Sequence, residues 1–114
     1  MKSIRDLTNE EIKLTKHLLS LIPDYKKGVP EKAWTMNDGG MGSISFDLDG
    51  KSEFGKSLIN MEYIDSDGGV VLIGLTVDKS GNLFELDFWK TDFEQLFEYP
   101  TPEKLKTVAN TVYN

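Results

Sequence analysis

Cysteine is absent from the 114 residues. No disulfide framework can form, and neither thiolate catalysis nor sulfur ligation of a metal is available. Histidine occurs once, as His17. It falls on the polar side of a helical pattern, so it reads as a solvated residue without the converging partners a ligand or general base needs. Long apolar runs are also missing, and nothing approaches the length that crosses a bilayer. The opening MKSIRDLTNEE turns acidic where a signal peptide would be apolar, which points to a cytoplasmic location. Positive charge is scarce: 13 Lys and Arg stand against 19 Asp and Glu, a net charge of −6. That balance argues against nucleic acid and anionic membranes as partners, and favours a basic partner or simple solubility.

What is present is an ordinary globular mixture, 39% hydrophobic and 28% charged, without internal repeat, linker or low-complexity segment. Residues 1–114 therefore read as a single domain able to close a core unaided. The charge is uneven. Residues 1–33 carry a net +2, residues 34–77 a net −5 and residues 78–114 a net −3.

Leu7-Thr8-Asn9-Glu10-Glu11-Ile12 is a helix start, with Thr8 and Glu11 in capping-box spacing. Ile12, Leu14, Leu18, Leu19, Leu21 and Ile22 share one side of the cylinder, Lys13, Lys16, His17 and Ser20 the other. Pro23 stops the pattern. Residues 24–38 read as a connector with a short helical turn near Pro30, anchored by Trp34 and Met36. The glycine-rich 37–42 stretch leads into the alternating Ser43–Leu48 and so reads as a hairpin turn rather than a phosphate loop. Strands follow at Leu58–Ile64, Val70–Val77 and Leu83–Lys90, joined by Asp65–Gly69 and Asp78–Asn82. Neither turn has the glycine and glutamate positions of a calcium loop. The expected class is α+β, an antiparallel meander of about four strands covered by N-terminal and C-terminal helices.

The stretch Val70–Pro100 carries the functional candidates. By parity Phe84, Leu86 and Phe88 face the core, while Leu83, Glu85, Asp87 and Trp89 face outward. A second capping-box pattern at Thr91–Glu94 suggests a helical turn through Phe97, with Asp92, Glu94 and Glu98 extending the acid cluster. Thr101-Pro102-Glu103 suggests a last helix with Leu105, Val108, Ala109 and Val112 as its apolar stripe. Carboxylates beside an outward tryptophan form either a solvated face or a recognition surface. A paired-carboxylate hydrolase is a further reading. The candidate partner-binding set is Glu85, Asp87, Trp89, Asp92, Glu94 and Glu98; no catalytic, cofactor or metal set emerges.

Leu7-Thr-x-Glu-Glu, Met41-Gly-Ser and the run from Gly81 through Leu83-Phe-Glu-Leu-Asp-Phe-Trp-Lys90 to Asp92-Phe93 carry a family likeness. The chain resembles a family of small uncharacterised bacterial domains, with members similar to immunity proteins of polymorphic toxin systems. The resemblance implies a non-catalytic protein-binding module that neutralises a cognate toxin domain, a basic partner such as a nuclease, without cofactor. Its alternatives are a small-ligand-binding or hydrolytic domain using Glu85, Asp87 or the Asp65/Asp67 turn, and a homo-oligomeric scaffold built on Val70 and Leu72. Monomer and homodimer both remain open.

Overall fold

A computed structural model describes residues 3–108. Its frame is one antiparallel sheet of seven strands: β1 (Ile4–Asp6), β2 (Lys32–Thr35), β3 (Ile44–Ser45), β4 (Phe54–Ile64), β5 (Val70–Asp78), β6 (Leu83–Lys90) and β7 (Lys106–Thr107). Across the sheet they run β1-β2-β3-β6-β5-β4-β7. Short turns make β4, β5 and β6 neighbours in sequence and space, as expected of antiparallel hairpins. Gly68 and Gly81 supply the positive φ that these turns require. The edge strands are three and two residues long, which limits the unpaired backbone they offer.

Among the described residues there is one α-helix, α1 (Asn9–Ser20). Thr8 and Glu11 form the reciprocal capping box, and Leu14 and Leu18 are completely buried against the sheet. Arg5 on β1 grips the Glu11 carboxylate with both terminal nitrogens, at 2.8 and 3.0 Å, and fastens the helix to the sheet edge. Val71, Ile73, Leu75, Leu86 and Phe88 form the centre of the core on this covered face.

The architecture corrects the expected α+β class, a meander covered by N-terminal and C-terminal helices, to a sheet-rich fold. The sheet has seven strands instead of about four, and no C-terminal α-helix covers it among the described residues. No helical turn forms at residues 30–33: Lys32 and Ala33 belong to β2, where they pair with Asp6 and Arg5 of β1.

At Thr91–Phe97 tertiary contacts override the local capping pattern. The Asp65 carboxylate accepts the backbone N–H groups of Phe97 and Glu98, both at 2.9 Å, and Lys90 Nζ donates to the Gln95 carbonyl at 3.0 Å. Backbone groups bound in this way are withdrawn from a helical ladder. Phe93 has φ +63°, outside the helical region. An amphipathic turn here would bury Phe93, Leu96 and Phe97 together; instead Phe93 and Phe97 are exposed and only Leu96 packs on the core.

The last expected helix is one 3₁₀ turn at Pro102–Lys104, after which Lys106 and Thr107 pair with Glu62 and Met61 of β4. The open backbone of β4 captures the chain instead. Ala109 and Val112, assigned to that helix by pattern, lie outside the described residues.

Candidate functional site

The second face of the sheet carries no helix among the described residues. Parity along three adjacent strands organises its middle into rows. Trp89 of β6 lies beside Leu72 of β5, which lies beside Glu62 of β4. The next row is Asp87, Gly74 and Asn60, and the third is Glu85, Thr76 and Ser57. Since Gly74 has no side chain, the grid has a dent at its centre. A groove of about 430 Å³ opens there.

Glu85, Asp87 and Trp89 are therefore brought together on one open face, Trp89 being 46% exposed. Phe88 and Lys90, their neighbours in sequence, point the other way and are buried. Leu83 is buried as well, contrary to simple alternation, because the β5–β6 register shifts between Thr76 and Val77.

Glu85 is half-buried and Asp87 exposed, two like charges on one strand face. Burial pushes the Glu85 carboxyl above its ordinary range, and the charges of Asp87 and Asp47 push it further. Burial likewise raises Asp87; the Ser43 hydroxyl, donating at 3.1 Å, offsets part of this, and Asp38 adds to it. Among the described residues neither carboxylate forms an ion pair. Nor do the Asn60 amide, the Glu62 and Glu85 carboxylates or the Trp89 indole N–H make a hydrogen bond within the described chain. The nearby cation is Lys106, opposite Glu62 at the outer margin.

The other three candidates lie apart from this set. Asp92 accepts the Glu94 N–H in a local turn at 3.0 Å. Glu94 is exposed beyond it. Glu98 pairs with Lys104, and its carbonyl accepts the Tyr63 hydroxyl on the covered side of the sheet. The acid cluster is thus not continuous. What joins the turn to the open face is Phe93, whose ring meets Trp89 edge-on with centroids 5.1 Å apart.

Chemically, the face offers unpaired carboxylates, an amide and an exposed indole around a vacant centre. That set is chemically suited to a cation carrying an apolar stem. It does not divide acid from base, because both carboxyls are displaced in the same direction rather than apart. It is also no continuous apolar surface. Asn60, Thr76, Glu85 and Asp87 interrupt the neighbourhood of Val70 and Leu72 on which a scaffold reading relied.

The comparison with protein families aligns residues 4–100 with a domain of unknown function, DUF6984. The chain belongs to the DUF6984 family. The match runs from β1 past β6 and so includes Glu85, Asp87 and Trp89 within the family domain. No curated protein and no solved structure matches the chain. No helix among the described residues is long and apolar enough to cross a membrane.

Glu62, Asn60, Leu72 and Thr76 were missed as members of the site. The signal that would have found them is the two-residue period carried through both hairpin turns, because β4 and β5 must present alternate residues beside those of β6. Lys90 was missed as a buried charge. Its parity with Leu86 and Phe88 placed it on the covered face, but sequence alone offered no partner to bury it with.

Proposed function

We propose that this DUF6984 domain is a non-catalytic protein-binding module whose open sheet face receives a basic partner. The observation that carries the reading is the pair of like charges, a half-buried Glu85 and an exposed Asp87, held together without a cation beside an exposed Trp89. A fold has no need to bear such a cost. A partner cation would offset the desolvation, and the indole would supply an apolar anchor. The net charge of −6 adds long-range steering toward a positive surface.

In its most specific form the module acts in the cytoplasm as an immunity protein, blocking the positively charged cleft of a cognate toxin. That form rests on the resemblance of the sequence motifs and on charge complementarity, and it requires no reaction by the domain itself.

Co-expression with the products of neighbouring genes tests the immunity form. A stoichiometric complex that silences a toxic neighbour supports it, and the absence of any such neighbour removes it. Association kinetics on that complex then test the surface. Charge reversal as Glu85→Lys with Asp87→Lys should slow association by about tenfold or more at low salt and flatten its salt dependence. Unchanged rates would place the docking surface elsewhere.

A further inference from the structure

Gly74 sits in mid-strand without any backbone reason to be glycine. It is not among the glycines with positive φ. A Cβ built there would meet only Asn60 Oδ1, at 3.1 Å, the far end of a side chain that can rotate away. Contrast Gly55, where a Cβ would lie 2.5 Å from the Asp78 carbonyl oxygen. Glycine inside a strand loses conformational entropy and contributes no packing, a cost of about 0.5–1 kcal/mol relative to alanine. At Gly74 the fold accepts this cost and gains only a vacancy, at the point where three rows of side chains converge.

We propose that the dent over Gly74 is a receptor for one arginine side chain of the basic partner, an inference that rests on the open face being the partner-binding surface. Strand geometry makes the surrounding frame roughly 13 Å along the strands and 10 Å across. An arginine stem entering beside Leu72 lays its methylenes on apolar surface. The planar guanidinium then lies over Gly74 with Asp87 on one side and the Asn60 carbonyl oxygen on the other. Glu85 is two residues along the same strand from Asp87, so the two carboxylates meet different edges of the fork. The Trp89 indole offers its ring to the cation. Five fixed N–H donors match several acceptors spread around a plane, whereas a lysine ammonium is a compact point charge that satisfies fewer of them at once.

The test is an NMR titration with the peptide acetyl-Gly-Arg-Gly-amide and with its lysine and citrulline counterparts. The arginine peptide should move the resonances of Gly74, Asp87 and the Trp89 indole. The lysine peptide should bind about tenfold more weakly or worse, and neutral citrulline should not bind. Gly74→Val, which fills the dent and leaves every charge in place, should weaken the arginine peptide by about tenfold or more, with the urea midpoint unchanged or raised. Should valine prevent folding, Gly74→Ala serves the same purpose, since it meets only the mobile end of Asn60.

No arginine binding, equal binding of arginine and lysine, or full binding by the filled variants would each overturn the receptor. If filled variants bind normally while Glu85→Gln with Asp87→Asn does not, the receptor falls and the acidic docking face stands. If the neutralised variant also binds the basic partner normally, both readings fall.

Discussion

Lys90 and Asp65 meet at 3.0 Å with both side chains completely shielded from solvent. Asp67 closes on the same ammonium at 2.6 Å, and the Phe97 ring centroid lies 4.4 Å away. Lys90 directly follows Trp89, so consecutive residues of β6 serve opposite faces: one is displayed, the other is locked. The lock ties the β4–β5 turn to residues 93–98, the segment that also brings Phe93 against Trp89. Burial disfavours the charged lysine, yet the hydrogen bonds to Asp67 and Asp65 outweigh it and hold the ammonium above its ordinary range. Asp65 obeys the same arithmetic: burial acts to raise its carboxyl, while the Phe97 N–H and Lys90 bring it below the usual range.

Asp65→Ala should therefore destabilise the fold by about 3–5 kcal/mol, because it leaves a buried ammonium short of a partner and the backbone N–H groups of Ser66, Phe97 and Glu98 without their acceptor. Urea denaturation measures it. A variant unfolding at the wild-type midpoint would show that the lock contributes nothing. The lowered pKa values of Asp65 and Asp67 set the pH window. Their contribution is complete above the ordinary carboxylate range near pH 4 and is lost as pH falls through the depressed folded-state values.

Glu85 and Asp87 carry the opposite sign. Their raised folded-state values mean that the folded protein binds protons more readily than the unfolded chain. Their favourable contribution exists at low pH and is lost as pH rises through those values. Glu85→Gln with Asp87→Asn should raise stability at pH 7 by up to about 1 kcal/mol, the gain kept small by solvent screening. The gain should vanish below about pH 4, where the wild-type carboxyls are themselves protonated and as neutral as the amides that replace them. Urea midpoints at the two pH values give the answer; a loss of stability at pH 7 would contradict the assigned electrostatics.

Phe93 combines a left-handed backbone with a ring 69% exposed. That conformation costs a non-glycine residue about 1–2 kcal/mol and is tolerated better by asparagine. The edge-on ring pair with Trp89 returns about 0.5–1.5 kcal/mol. Phe93→Asn should consequently shift stability by no more than about 1 kcal/mol, while Trp89 emission moves to the red as its ring loses cover. Unchanged fluorescence would mean that the two rings do not pair in solution.

Gly69 reports on the tightness of the lock. A Cβ there would lie 2.7 Å from Lys90 Cε and 2.9 Å from Asp92 Oδ2. Lys90 is completely enclosed and cannot retreat. Gly69→Ala should cost about 1–3 kcal/mol through overpacking. Gly28→Ala is the control, since nothing lies within 4 Å of its added carbon, and its midpoint should stay at or slightly above wild type.

Local rules were legible wherever the chain interacts with itself over a few residues. The Thr8–Glu11 capping box forms because both partners lie within one turn of helix. The outward placement of Glu85, Asp87 and Trp89 follows from the two-residue period of an extended chain. Composition alone disposed of disulfides and thiolate chemistry. The same local reasoning failed at Thr91–Glu94, where helix signals were sound but Asp65, about thirty positions earlier, took the N–H groups such a helix needs. It failed again after Thr101, where β4 offered a backbone edge that no nearby residue announces.

Tertiary structure alone decided which residues stand beside Glu85 and Asp87, that Glu85 is half-buried while Asp87 stays exposed, and that glycine at position 74 leaves a hollow between three strands. The reason is physical. Sequence determines what each residue tends to do along its own strand, but burial, register and vacancy are properties of distant segments brought side by side.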